Sequence, residues 1–187
     1  MSSPTAPAHQ AGEPASHGKG PSQGAILVDV ELRALVASGA ISGAVSGAIE
    51  INPGQIQPAS LDLRLGPKAH RVRAGFLPSG VPMEDRLASL STSALDLSHP
   101  DGAVLERGLV YLVQLEEALD LPAELGVRFN PRSSSGRCDI FTRVLCPGHP
   151  RFDEAPPGYR GPIWLEISPL SFPVRLRRGD RLCQLRV

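Results

Sequence analysis

The spacing of apolar positions changes period along this chain. After Asp29 the apolar residues Leu32, Leu35 and Val36 recur at helical spacing, with Asp29 placed to cap the start and Gly39 placed to end the helix. One short amphipathic helix is predicted there. The Ala-Ile-Ser-Gly-Ala-Val-Ser-Gly-Ala-Ile run over residues 40–49 looks repetitive, as an Ala/Gly-rich stretch will by chance. After Gln55 the period falls to two. Ser60-Leu61-Asp62-Leu63-Arg64-Leu65 alternates, and Gly66-Pro67 is expected to break it. Further strands are predicted over 109–115, 140–146, 162–168, 172–176 and 181–187, with turns at Pro147-Gly148, Pro157-Gly158 and Arg178-Gly179-Asp180. Residues 78–99 follow neither period and read as a long surface excursion. Many short strands punctuated by Gly and Pro predict a mainly β sandwich or distorted barrel with a short N-terminal helix.

The first 24 residues contain no Leu, Ile, Val or aromatic side chain and are rich in Pro, Gly, Ser and Ala. Such a segment buries too little surface to offset its ordering entropy, so residues 1–24 are predicted to be a disordered leader and 25–187 the folded domain. His9 and His17 lie in that leader and read as solvated. With 187 residues, 41 % of them hydrophobic, the chain can build one core of ordinary size. Nineteen basic and nineteen acidic residues balance. That argues against a nucleic-acid coat or a membrane-surface protein, while leaving room for a local anion site. Cys138, Cys146 and Cys183 are odd in number and irregularly spaced, which fits reduced thiols and a cytoplasmic location. No apolar run approaches the roughly 18 residues of a membrane span, and the N-terminus lacks a secretory apolar stretch.

Two segments carry chemistry. Arg132-Ser133-Ser134-Ser135-Gly136-Arg137 gathers two guanidinium groups, three hydroxyls and a glycine on one turn. This is an inventory for phosphate oxygens, though a solvated, Ser-favoured turn has the same composition. In Gly158-Tyr159-Arg160-Gly161-Pro162-Ile163-Trp164-Leu165-Glu166-Ile167 a single carboxylate sits inside an apolar strand. Alternation puts Trp164, Glu166 and Ser168 on one face, and Ile163, Leu165 and Ile167 on the other. A carboxylate among apolar neighbours holds a proton more readily and suits proton transfer; a surface glutamate on a polar face is the plainer alternative, which the neighbouring indole weakens. Asp62-Leu63-Arg64 fits a cross-strand ion pair or a solvated edge. Asp153 lies on a turn, where it fits a sugar-hydroxyl acceptor or a routine turn carboxylate. A zinc deaminase needs paired cysteines two residues apart, and Cys146-Pro147-Gly148-His149 has no second pair. A Gly-x-Ser-x-Gly elbow and a Walker loop are also missing from the sequence.

Four segments, in order, resemble the dCTP deaminases. They are residues 56–66 (Ile-Gln-Pro-Ala-Ser-Leu-Asp-Leu-Arg-Leu-Gly), the Arg132–Arg137 turn, Gly158–Gly161 with Trp164-Leu165-Glu166, and residues 178–185 (Arg-Gly-Asp-Arg-Leu-Cys-Gln-Leu). Residues 26–41 also look like the family's N-terminal helix, so the resemblance covers roughly 25–187. It implies a distorted double-sheet β fold of the dUTPase type. It also implies a homotrimer with sites between subunits, and zinc-independent hydrolysis of dCTP to dUTP and ammonia. Under it Glu166 would be the base that activates water, Ser133 would hold that water, and Arg137 would order the site. Arg132, Ser134, Ser135 and Gly136 would lie near the triphosphate. The main chain at Trp164 and Leu165 would lie against the base, and Asp153 would take the sugar hydroxyl. Magnesium would enter on the triphosphate, held by phosphate oxygens and water. The sequence departs from the family in a longer stretch between Cys138 and Tyr159 and in lacking the C-terminal tail that closes over the nucleotide. A longer parent protein with two such domains in tandem would account for the second point. A dUTP diphosphatase, a bifunctional deaminase–diphosphatase and a non-catalytic nucleotide-binding half of a tandem are the competing functions.

Overall fold

The computed structural model describes residues 26–43, 50–78 and 80–187. The leader 1–24 and positions 44–49 of the small repetition lie outside them. In chain order the elements are α1 (Asp29–Ala37), β1 (Ile41–Gly43), a 3-10 turn (Pro53–Gln55), β2 (Ile56–Gln57), β3 (Ser60–Leu63), β4 (Leu65–Val72), α2 (Met83–Leu90), β5 (Ser91–Asp96), β6 (Ala103–Leu105), β7 (Val110–Asp120), β8 (Val127–Pro131), α3 (Ser133–Arg137), β9 (Ile140–Leu145), β10 (Glu154–Ala155), β11 (Arg160–Pro169), β12 (Val174–Leu176) and β13 (Cys183–Arg186). One sheet runs β5-β4-β7-β11-β9, with β1 on the far half of β7; a second runs β10-β8-β13-β3-β2; β12 and β6 form a small third. Among the described residues every pairing between these strands is antiparallel. The expected mainly β, double-sheet architecture is the one observed.

The two large sheets share one core. Ile163, Leu165 and Ile167 of β11 point into it beside Tyr111, Val113 and Leu115 of β7; Leu61, Leu63, Phe129 and Leu185 come from the second sheet. Full burial of each such aliphatic side chain contributes about 1.5–3 kcal/mol. The opposite face of the first sheet carries a smaller cluster of Val72, Met83, Leu112, Leu145 and Trp164, over which Phe76, Leu87, Leu90 and Phe152 pack. Thus β11 is buried on both faces, as expected of a strand with a neighbour on each edge and a layer above and below.

Several expectations change in the structure. Residues 78–99 are not a surface excursion: they hold α2, which covers the outer face of the first sheet, and β5, its edge strand. The period was obscured because α2 has only eight residues and its N-terminus bears Glu84 and Asp85. Gly66-Pro67 does not end a strand. It sits inside β4, where the register to β7 shifts between Leu65 and Ala69. A Cβ on Gly66 would stand 2.3 Å from the Gln114 carbonyl oxygen, so glycine is required by the close approach of backbones at this bulge. In α1 the cap position is Val28, whose N–H donates to Glu31 Oε2 at 2.9 Å, and Asp29 is the first helical residue. Gly39 does follow the helix, at φ +83°.

Asp62 and Arg64 are each buried in ion pairs with other segments, Asp62 with Arg132 and Arg181 and Arg64 with Glu117 of β7. Arg64 Nε donates to Glu117 Oε1 at 2.7 Å and its backbone N–H to Oε2 at 2.8 Å, while Gln55 Nε2 donates to Oε1 at 2.8 Å. Glu117 is fully buried. Its neighbour Glu116 is 1 % exposed and is held by the Arg178 guanidinium. These two carboxylates on β7 tie the β3–β4 junction and the loop before β13 to the first sheet. Among the described residues no helix is long and apolar enough to cross a membrane.

Candidate active site

Glu166 stands in the middle of β11, directly opposite Leu112 of β7 and Arg143 of β9. Direct antiparallel partners share a face, so the register puts Arg143 beside the carboxylate. Arg143 Nε donates to Oε1 at 2.7 Å and Nη2 to Oε2 at 3.3 Å, a two-pronged contact. The Glu166 side chain is 4 % exposed and that of Arg143 30 %. The guanidinium carbon lies 3.9 Å from the centroid of the Phe152 ring and 5.8 Å from that of Phe141. Gly75 closes the other side: a Cβ there would come within 2.6 Å of Glu166 Oε2 and 2.7 Å of Arg143 Nη2. The wholly apolar surroundings expected for Glu166 are therefore broken by one cation. Alternation along β11 is as expected, with Trp164 and Glu166 on the outer face and Ile163, Leu165 and Ile167 in the core.

Trp164 is 7 % exposed, and its ring centroid lies 6.2 Å from that of His70. Its Nε1–H is buried without a partner. Burial, with Lys68 nearby, pushes the His70 imidazole below its ordinary value. The main chain at Trp164 and Leu165 is laddered on both edges, to Gln114 and Val113 of β7 and to Leu145 and Val144 of β9.

The Arg132–Arg137 segment forms a helical turn on the other sheet. Arg132 caps α3, with Nε 3.6 Å from Asp62 Oδ1 and Nη1 3.4 Å from the Arg181 carbonyl oxygen. Ser133, Ser134, Gly136 and Arg137 are exposed. Ser135 is 3 % exposed and donates to the Leu182 carbonyl at 3.0 Å, which makes it a strut between α3 and β13. Gly136 has open space where a Cβ would stand. A polar cleft lined by Gln57, Asp62, Asn130, Arg132, Ser133 and Gln184 opens beside the turn. Among the described residues no hydrogen bond or ion pair joins this turn to Glu166. Within one chain the two candidate segments stay apart, on different sheets.

Asp153 adopts φ +60°, between β9 and β10. Its Oδ1 accepts from the Val144 N–H at 2.7 Å, and its main chain bonds Val144 and Phe129. Burial pushes its carboxyl up, against the opposing pull of the Val144 N–H and of Arg143. This carboxylate braces the turn that carries Phe152. Cys146 and His149 diverge: the His149 ring bonds Glu154 at 2.9 Å, and burial pushes the Cys146 thiol up to about 12, far from a thiolate ligand.

Arg143, Gly75 and Phe152 escaped the sequence reading. The signal available was the alternation of Phe141, Arg143 and Leu145 against Ile140, Thr142 and Val144, which places Arg143 on an outer face without saying what it meets.

The family model for the 2'-deoxycytidine 5'-triphosphate deaminase N-terminal domain matches residues 23–187, and the chain belongs to that family. It is 32 % identical over 135 residues to a dUMP-forming dCTP deaminase of Methanosphaera stadtmanae, covering 72 % of this chain and 66 % of the relative. It is 33 % identical over 135 residues to a dCTP deaminase of Natronomonas pharaonis, covering 70 % and 65 %. The crystal structure of the 2'-deoxycytidine 5'-triphosphate deaminase from Agrobacterium tumefaciens superposes with a TM-score of 0.79 at 49 % identity, covering 86 % of this chain and 47 % of that one. The chain thus spans about two thirds of those relatives and about half of the solved chain, and its β-rich fold is of the dUTPase-like kind.

Proposed function

We propose that this domain takes part in the hydrolytic deamination of dCTP to dUTP and ammonia without zinc, with Glu166 as the proton carrier. Family membership and the buried, strand-held carboxylate on the outer face of β11 support this. Glu166 takes a proton from water as the oxygen adds to C4 of cytosine and passes it to N3. The proton of the new C4 hydroxyl is then carried to the amino nitrogen, the C4–N4 bond breaks, and ammonia leaves a carbonyl at C4. Ser133 and Arg137 would reach this centre from the turn of a second copy, in a homotrimer with sites between subunits. The separation of the turn from Glu166 within one chain favours that arrangement. Arg132, Ser134 and the cleft beside them would face the triphosphate, and the protein would work in the cytoplasm.

Magnesium supplies charge neutralisation to a triphosphate when bound. Asp62, the carboxylate beside the turn, already lies between Arg132 and Arg181, so the phosphates rather than the protein would carry the ion. A dUMP-forming variant of the reaction is the nearest alternative, since some relatives carry that name. A second reading, a nucleotide-binding half whose partner domain does the chemistry, draws on the engagement of both Glu166 oxygens by Arg143.

The test is ammonia and pyrophosphate release from magnesium dCTP by the parent chain and Glu166→Gln. Loss of a general base costs about 10²–10⁴-fold. Ammonia without pyrophosphate, abolished in the variant, supports the deaminase. Both products support the dUMP-forming reaction. Nucleotide binding without either product supports the binding half.

A further inference from the structure

We infer that the indole N–H of Trp164 binds the nucleobase, donating to the carbonyl oxygen at C2 of the pyrimidine while Glu166 works at N3 and C4. This rests on the deaminase reading of the site and adds to it a base-binding residue.

The indole nitrogen is buried and no acceptor meets it. Buried donors are ordinarily paired, so one that folding leaves unpaired points to a partner that arrives with a ligand. Trp164 shares its cluster with Val72, Met83, Leu112 and Leu145, and Phe76 packs over them, none with a strong acceptor. Gln114 stands directly opposite on β7, on the same face, and the His70 ring centroid is 6.2 Å from that of the indole. Neither side chain bonds the N–H. The main chain at Trp164 is flanked by a ladder strand on each edge, so at this position the side chain holds the uncommitted donor. The strand is also irregular here: its register to β7 shifts between Pro162 and Trp164. Such bulges re-aim side chains and recur beside active sites.

The spacing suits one edge of a base. Trp164 and Glu166 share the outer face of β11, and alternate residues of a strand stand about 6.5 Å apart. Cytosine carries its amino group, N3 and the C2 carbonyl in a row along one edge. With Glu166 passing a proton to N3, the next group along that edge is the C2 oxygen, an acceptor facing Trp164. Both residues lie under one cover. Gly75 stands against the Glu166 carboxylate, and Phe76, next in the chain, packs on the cluster that holds the indole. Glu166 is 3 % exposed and Trp164 7 %, so the opening that admits a base to the one admits it to the other. The bond fixes which edge of the ring meets Glu166. It serves product as well as substrate, because uracil keeps the C2 oxygen.

The experiment is calorimetric titration of the intact protein with dCTP, 2-thio-dCTP and base-free 2-deoxyribose 5-triphosphate, for the parent and Trp164→Phe. Sulfur at C2 is a weak acceptor. The parent is expected to bind dCTP about 3- to 10-fold tighter than 2-thio-dCTP, and Trp164→Phe to bind the two alike, with the base-free ligand unchanged. A preference for oxygen that is missing from the parent, or that survives in folded Trp164→Phe, overturns the inference and leaves the deaminase reading intact. Binding of dCTP by the parent no tighter than that of the base-free ligand overturns both. A smaller ring leaves a cavity and threatens the fold, so a second measurement uses the unaltered chain. Trp164 is the one tryptophan in the sequence, so its indole ¹⁵N–¹H signal is unambiguous. That signal should move to a hydrogen-bonded position on saturation with dCTP but not with the base-free ligand. A signal unmoved by dCTP, whether unbonded throughout or already bonded to a buried water, overturns the proposal.

Discussion

Glu117 and Glu166 lie on neighbouring strands of one sheet, each buried and each bound by an arginine, yet they are built differently. Glu117 receives three hydrogen bonds from two residues, and Arg64, its arginine, is 7 % exposed. Glu166 receives two, both from one side chain that is 30 % exposed, lies over the Phe152 ring and stands beside Gly75. Burial and an arginine partner therefore do not separate a structural carboxylate from one proposed as a base. What separates them is how many donors are fixed by the fold and whether the cation has somewhere else to go.

The comparison breaks first at Arg64. Arg64→Ala leaves Glu117 charged, buried and short of its strongest partner, and the expected loss is about 3–5 kcal/mol by thermal unfolding. Arg143→Ala should cost visibly less; an equal loss would make the two pairs the same kind of device. Gly75→Ala comes next. Its methyl group meets the Glu166–Arg143 pair rather than open space, so overpacking of about 1–3 kcal/mol is expected, with nucleotide turnover falling alongside the melting temperature. A Gly75→Ala protein that melts and turns over like the parent would remove the claim that main chain confines the pair. Ser135→Ala is a smaller change: it deletes the strut to Leu182, for about 1 kcal/mol. If Ser135 touches phosphate instead, affinity for the triphosphate falls more than stability does.

The smallest expected effect is one of pH. The His70 imidazole is held below its ordinary value by burial first and by Lys68 second. As pH falls through the unfolded value, near 6.5, the unfolded chain takes up a proton that the folded chain still refuses. Stability therefore drops with acidity in that window, until the folded imidazole also protonates. The gap between the unfolding midpoints of the parent and His70→Gln, followed from pH 7.5 to 5.5, should be constant at the upper end. The parent should lose more toward the lower end. Parallel curves would place His70 in contact with water.

Both faces of β11 were legible in the sequence because period two survives in a central strand when each face carries its own cluster. The outward place of Trp164 and Glu166 and the inward place of Ile163, Leu165 and Ile167 follow from that alone. The partner of Glu166 was not legible. It depends on the register between β11 and β9, and a slip of one residue would have sent Arg143 to the other face. Ser135 shows what composition leaves out. Its hydroxyl belongs by composition with Ser133 and Ser134, but a carbonyl 47 residues further along the chain claims it. Gly66-Pro67 read as a strand end because both residues weaken a ladder. The fold uses them as a bulge against Gln114.

Glu116 sets a condition on the order in which the chain can mature. Its carboxylate is closed off at 1 % exposure, and the guanidinium that answers it belongs to Arg178, 62 residues downstream. On the ribosome β7 emerges well before that arginine does. Until Arg178 arrives, sealing the sheet over Glu116 would bury an unpaired charge, so a nascent chain keeps that end of β7 open to water. The last step of closure is thereby reserved for a chain whose synthesis has passed Arg178, and a translation product stopped short of it exposes an unfinished seam to cellular proteases.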